Sequence, residues 1–444
     1  MAIGLSLVGC RAQGPRDGGP SAAAARGKVL YNIHCADCHG VKGDGGGPVA
    51  PLLWPKPRDL TSGIFKYRTT RGPVPSDTDI LQTMKVGVPG TAMPGWDLLS
   101  MAEWKDLLAY VKSFAPRIAL AAADRPVDIP TEVKSTPELI AKGRGLFAKR
   151  GCVACHGAAG NGDGPAAASL TDAWGDRVAP RDLTRGPLKW GNMPRDIYRT
   201  IIMGIPGTPM PAYEHSFTTD ELWALTHFVK SLQAPLPEGY DPANPKKTVL
   251  DAAKIAGELP LDYHAPIWGN VQATPVFLKP LWHESGMTEW LTAKALHNGS
   301  EIAIYLRWTD NEMNVEGARV DGVAVQFPIE KVATPADLPY LGMGHAGRPV
   351  AIWAWHVGRT QELTARGMNA VRPKSPEMTR VMAKGTYDAG EWHVIMKREI
   401  AAAGRDDATI QLQGYCSFAL WDGDLPKHAG PESFSEWMIY ELAQ

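Results

Sequence analysis

Cys35-Ala36-Asp37-Cys38-His39 decides how the chain is read, because it recurs as Cys152-Val153-Ala154-Cys155-His156, and 152 − 35 places the copy 117 residues on. Cys-x-x-Cys-His is the attachment signature of c-type haem. Two thiols one turn apart can each form a thioether to a haem vinyl group, and the adjacent His lies under the iron. Zinc would need four ligands, usually as two paired clusters, and neither copy has a second pair nearby. A thioredoxin-like redox pair needs neither the His nor the glycine-rich loop that follows. The expectation is two covalent haem c groups, attached through Cys35, Cys38, Cys152 and Cys155, with His39 and His156 as proximal iron ligands.

The duplication runs well beyond the motif. Gly40, Gly43, Gly45 and Gly47 recur at the same offset, and Pro57-Arg58-Asp59-Leu60-Thr61 matches Pro180-Arg181-Asp182-Leu183-Thr184. Gly87-Val88-Pro89-Gly90-Thr91-Ala92-Met93-Pro94 matches Gly204-Ile205-Pro206-Gly207-Thr208-Pro209-Met210-Pro211. Each unit then closes with an expected amphipathic helix, over 103–114 and 221–232, carrying Val-Lys-Ser near its end. Agreement this long is an internal repeat. Met93 and Met210 keep register with the Cys motif and sit in Gly/Pro loops, so they are the expected sixth iron ligands. Met/His ligation raises the reduction potential and suits electron transfer. Met84, Met193 and Met203 read as core filling, and His215 and His227 as surface or packing residues. Arg58 and Arg181 fit as hydrogen-bond donors to haem propionates or a neighbouring loop, and equally as surface ion pairs with the adjacent Asp59 and Asp182.

The 444 residues suffice for two to four domains. A formal net charge of −1 gives no electrostatic case for nucleic acid. Of six Cys, only Cys10 and Cys416 lie outside the motifs, too few for a disulfide framework. No run of 18 apolar residues exists to span a membrane. Leu7-Val8-Gly9-Cys10 looks like a bacterial lipobox, with Cys10 the lipidated residue; a cleaved or unstructured leader is the alternative. The expected location is the periplasm or the outer face of the bacterial cytoplasmic membrane, with Cys10 the sole membrane anchor.

The expected plan is a leader and tether over 1–25, a first unit over 26–116, a linker over 117–135, a second unit over 136–234, a Pro-rich linker over 235–260 and a last domain over 261–444. In that last domain the period changes from helical to alternating. Residues 289–297 and 301–308 flank an Asn298-Gly299 hairpin signal, and further strands are expected over 322–328, 349–357, 378–387, 391–399, 410–421 and 435–442. Short regular strands of this kind argue for a β-sandwich. Nine of the 15 Trp fall here, which suits an aromatic-lined pocket or a sandwich core equally. Cys416 reads as a buried, inert strand residue.

With Gly-Thr-x-Met-Pro in both distal loops, each repeat resembles a small class I cytochrome c domain. The strings Ala293–Trp308, Asp321-Gly322-Val323-Ala324-Val325-Gln326-Phe327-Pro328, Ile352-Trp353-Ala354-Trp355-His356 and Phe418-Ala419-Leu420-Trp421-Asp422-Gly423 resemble the haem-b γ subunit of ethylbenzene dehydrogenase and its molybdenum-enzyme relatives, nitrite oxidoreductase among them. The implied fold class is multidomain: two small all-α cytochrome c domains followed by an all-β sandwich. The resemblance implies a non-covalent b haem bound by a Met and a Lys. Met343 falls at the Met position. The Lys count from Gly423 reaches Glu432, a poor partner for such a haem, leaving Lys427 or His428 nearby. The implied function is non-catalytic electron transfer. The chain would be the γ-type haem subunit of an extracytoplasmic molybdopterin oxidoreductase. It would relay electrons between the iron–sulfur subunit that serves the catalytic subunit and a soluble cytochrome c or terminal oxidase. Alternatives are a stand-alone periplasmic dihaem carrier with a docking module, a dihaem peroxidase, which would need an open iron position, and an electron wire on a carbohydrate- or surface-binding module, which exposed Trp would favour.

Overall fold

The computed structural model describes residues 22–237, 240, 249–283, 286–316, 319–402, 404, 406–423 and 433–444. The first repeat is α1 (Ala22–His34), α2 (Ala36–His39), α3 (Asp77–Val86) and α4 (Met101–Ser113), with α5 (Pro116–Leu120) inside the expected linker. The second is α6 (Pro137–Lys149), α7 (Val153–His156), α8 (Pro194–Met203) and α9 (Thr219–Leu232). Ser76 with Asp79, Ser100 with Glu103 and Thr218 with Glu221 form capping boxes that start α3, α4 and α9. In each unit the first and last helices cross at a glycine. A Cβ on Gly27 would run into the Asp106 carbonyl, and one on Gly143 into that of Ala224.

The all-β half holds β1 (Val249–Lys254), β2 (Thr274–Pro280), β3 (Trp290–His297), β4 (Glu301–Thr309), β5 (Gly322–Pro328), β6 (Val350–His356), β7 (Arg359–Ala365), β8 (Val371–Pro373), β9 (Met382–Asp388), β10 (Glu391–Glu399), β11 (Gln413–Trp421), β12 (Ser433–Ser435) and β13 (Met438–Leu442). One face runs β8-β7-β6-β5-β11-β12-β2, the other β2-β3-β4-β10-β9 with β1 and β13 added. Strand β11 bends between them: residues 413–416 pair with β13 and 417–421 with β5. The core between the faces is lined by Leu291, Leu306, Val323, Val325, Trp353 and Phe418.

Two expectations need correction. The segment 235–260 is not wholly a linker, because β1 lies in it and pairs in parallel with β13 and β3. Partners so distant in sequence leave no local hairpin signal. Strands β2, β7 and β8 were also not anticipated, because Pro275, Pro280 and the polar alternation of residues 359–363 mask them. The tryptophans resolve as core and seam: six of the nine are at most 5% exposed, and Trp282, Trp290 and Trp421 are half-buried. The exposed-Trp signal for a surface-binding module is therefore missing.

The first cytochrome unit packs against both other bodies, which also touch each other through Arg181 and Glu289. One apolar cluster joins its Leu30, Trp96 and Leu107 to Leu338, Leu341, Ile352 and Trp437 on the outer face of the sandwich. Against the second unit, Tyr67 stacks on Trp190 with ring centroids 5.1 Å apart and planes 10° from parallel.

Candidate haem centres

In the first unit, α1 ends at His34 and the chain turns directly into α2, so Cys35, Cys38 and His39 face one cavity. Met93 lines the same cavity from the distal loop, and Leu53, Leu60, Phe65, Ile80, Val88, Trp96 and Val111 supply an apolar wall. His39 Nδ1 lies 2.9 Å from the Arg58 carbonyl. As a donor there, the ring keeps Nε2 free for a metal, the usual second-contact device for a ligating histidine. Burial draws the His39 pKa below its ordinary value, which favours the neutral ligand form. Two thiols, an imidazole and a thioether around an apolar slot fit a covalently attached haem with His/Met axial ligands.

The second unit repeats the histidine and distal-loop hydrogen bonds. His156 Nδ1 lies 3.3 Å from the Arg181 carbonyl. In the distal loops, Thr91 Oγ1 donates to the Val88 carbonyl at 2.8 Å and accepts from Met93 N at 3.2 Å. Thr208 Oγ1 donates to Ile205 at 2.7 Å and accepts from Met210 N at 3.3 Å. Each threonine therefore fixes the backbone that presents its methionine. Of the three Met read as packing, Met84 is buried in the first cavity, whereas Met193 is 38% exposed at the start of α8. His227 is buried and held by the Val133 carbonyl at 2.7 Å.

The two units face each other through reciprocal contacts. A Cβ on Gly90 would sit 2.8 Å from Arg181 Nη1, and one on Gly207 would sit 3.4 Å from Arg58 Nη1. The arginine beside each proximal histidine thus packs on the distal loop of the other unit. The adjacent-Asp pairing is not formed by either. Asp59 accepts from Thr61 and Ser62 instead. Arg58 stacks 4.0 Å from the Trp174 ring centroid, and Arg181 forks onto Glu289 of the sandwich at 2.5 and 2.7 Å.

The Met343 loop is the sandwich's contribution. Met343 takes φ +66°, a left-handed conformation uncommon outside glycine, and its carbonyl accepts from Gly367 N at 2.9 Å. Tyr340 in the same loop puts its hydroxyl 3.9 Å from Cys38 Sγ. Among the described residues this region offers one soft donor for a b haem, Met343, which is half-buried in the apolar cluster under the first unit. Lys427 and His428 lie outside the described residues, as does Cys10. Cys416 is fully buried, and its thiol is pushed up by burial. A crevice of about 680 Å³ opens at the three-body junction beside Pro89, Phe277 and Glu436, and none of the Cys, His or Met ligand candidates lines it.

Several residues passed over in the sequence also meet at the first cavity. His34 is buried, and burial draws its pKa down to about 4 against the opposing pull of the Ala336 backbone. Lys66 and Lys189 both line the cavity, although Lys189 belongs to the second unit. A signal existed for the lysines: the repeat at offset 123 that pairs Arg58 with Arg181 also pairs Lys66 with Lys189 and Tyr67 with Trp190.

Comparison with known proteins follows the same division. The ethylbenzene dehydrogenase family matches residues 265–377, the cytochrome c family 140–233, and the cbb3-type cytochrome c oxidase subunit III family 22–111. A protein named as a candidate respiratory nitrate reductase haem subunit in Haloferax mediterranei is 27% identical, covering 44% of this chain and 73% of its own length. The FixP subunit of the cbb3-type oxidase of Azorhizobium caulinodans is 27% identical over 48% of this chain and 60% of its own. A chain of the Kuenenia stuttgartiensis reducing HAO-like protein complex is 37% identical, covering 47% of this chain and 96% of its own, at a TM-score of 0.46.

Proposed function

A chain that joins cytochrome c domains to a domain of the ethylbenzene dehydrogenase γ-like family is a multihaem electron-transfer protein, and we propose that it carries two covalent haems and passes electrons between them. Cys35 and Cys38 anchor the first and Cys152 and Cys155 the second, with His39/Met93 and His156/Met210 as axial pairs. The observation that carries this is the meeting of both thiols, His39 and Met93 in one apolar cavity. Bound haem supplies a one-electron iron couple. The protein orients the imidazoles through the Arg58 and Arg181 carbonyls, holds the thioethers with Thr91 and Thr208, and keeps water out with the apolar wall.

The wider assignment builds on this. The chain acts outside the cytoplasm as the haem subunit of a molybdopterin oxidoreductase, its sandwich docking an iron–sulfur subunit. Where a b haem is bound, Met343 is its thioether ligand. The first unit is the inner carrier, because Tyr340 ties the Met343 loop to Cys38. The second is the outlet to a soluble cytochrome c or an oxidase, because the outer face of α6 meets solvent. The axial pairs are tested by magnetic circular dichroism of the oxidised protein. Two low-spin His/Met signatures are expected, with one lost in Met93→Leu and the other in Met210→Leu. High-spin or bis-His spectra in the parent protein would overturn the assignment.

A further inference from the structure

Three cations line the first haem cavity without a carboxylate partner. Among the described residues, Arg58, Lys66 and Lys189 form no ion pair, and Arg58 Nη2 is buried without a hydrogen bond. The other lysine of this cavity, Lys56, donates to the carbonyls of Ala50 and Pro51 at 2.9 and 3.3 Å. Placing like charges together in a poorly solvated slot is costly unless an anion joins them. Burial, with Arg58 adding, draws Lys66 down to about 8; burial, with Lys66 and Arg181 adding, draws Lys189 down to about 7. The carboxylates that act on the set are engaged elsewhere: Asp172, which favours the charged forms of Arg58 and Lys66, accepts from the backbone of Trp174 and Asp176, and Glu289 is taken by the Arg181 fork. The chemistry that satisfies such a set is a dianion presented at the cavity edge, and a haem carries two carboxylates along one edge.

We propose that Lys189, reaching across from the second cytochrome unit, joins Arg58 and Lys66 as counter-charge to the propionates of the first haem, so that the second unit sets the potential of the first. This rests on the covalent haem reading above. The reach is possible because Tyr67 and Trp190, each next in sequence to its lysine, stack face to face at the seam. The two arginines differ: Arg181 is bound by Glu289 of the sandwich, whereas Arg58 Nη2 is buried without a hydrogen bond at the first cavity. Lys189 is therefore a positioning and potential-setting residue for a haem attached more than a hundred residues earlier in the chain.

The test is a potentiometric titration of the holoprotein carrying Lys189→Gln, with Lys189→Met as a second neutral variant that keeps the aliphatic stem. The wave of the first haem is identified as the one displaced in Met93→His. Loss of a cation beside the propionates favours ferric iron, so the first-haem midpoint falls in both neutral variants, the second moves less, and Lys189→Arg restores the parent value. An unmoved first wave, or a shift confined to the second, in protein with both haems attached would overturn the proposal. Failure of the underlying reading has a different signature: fewer than two covalent haems in the unsubstituted protein, before any variant is compared.

Discussion

The two cytochrome units are copies of one repeat, yet they occupy different environments, and the difference lies in what each is packed against. In α1, Ala24, Gly27, Leu30, Tyr31 and His34 are buried; in the equivalent α6, only Gly143 and Phe147 are. The first unit has the sandwich on one side and the second unit on the other. Its attachment motif touches Tyr340, and its cavity borrows Lys189. The second unit keeps the same axial hydrogen bonds but turns its first helix to solvent. The duplication thus conserved the chemistry within each unit and let the surroundings diverge.

The arginine pair offers the largest test of that asymmetry. Arg181→Ala leaves Glu289 buried without its partner and should cost about 3–5 kcal/mol, whereas Arg58→Ala forfeits the stack on Trp174, worth about 0.5–2 kcal/mol. Denaturant unfolding followed by circular dichroism separates the two, and equal losses would contradict the different partners described here. Acid sensitivity should come next. His34 has no counterpart in the second unit, where Gly151 stands at the matching position. Its folded pKa is about 4, below the unfolded value of about 6.5. Above pH 6.5 both states are neutral and stability is full. As the pH falls toward 4 the unfolded state takes up the proton first, so stability is lost across that window by up to about 3 kcal/mol. His34→Gln should flatten this slope, and an unchanged slope would show that His34 is not responsible. The smallest difference between the units is expected at the helix crossings. Gly27→Ala and Gly143→Ala each push a methyl into backbone, at about 1–3 kcal/mol. The first should lie at the upper end, because α1 is held from behind by the sandwich while α6 can shift into solvent; a larger loss for Gly143→Ala would reverse that argument.

The helical half was legible because its signals are local: a five-residue motif, its repetition and a loop bearing Met in register. The strands flanking Asn298-Gly299 were legible for the same reason. Strand β1 was not, since its partners β13 and β3 lie far along the chain and it follows a proline-rich stretch. Arg58 and Arg181 were visible as a pair, but their opposite fates were not, because Trp174 and Glu289 reach them only through tertiary packing. Lys66 and Lys189 carry no motif of their own, and only the packing of the two units brings them to one cavity.

The most direct test of the central claim is a pyridine haemochrome spectrum with iron quantification on purified protein, followed by acid–acetone extraction. Two haems are expected to stay with the polypeptide on extraction, and a haem that leaves would be the non-covalent b type proposed for Met343. Fewer than two retained haems would contradict the claim that the repeated motif holds two covalent centres.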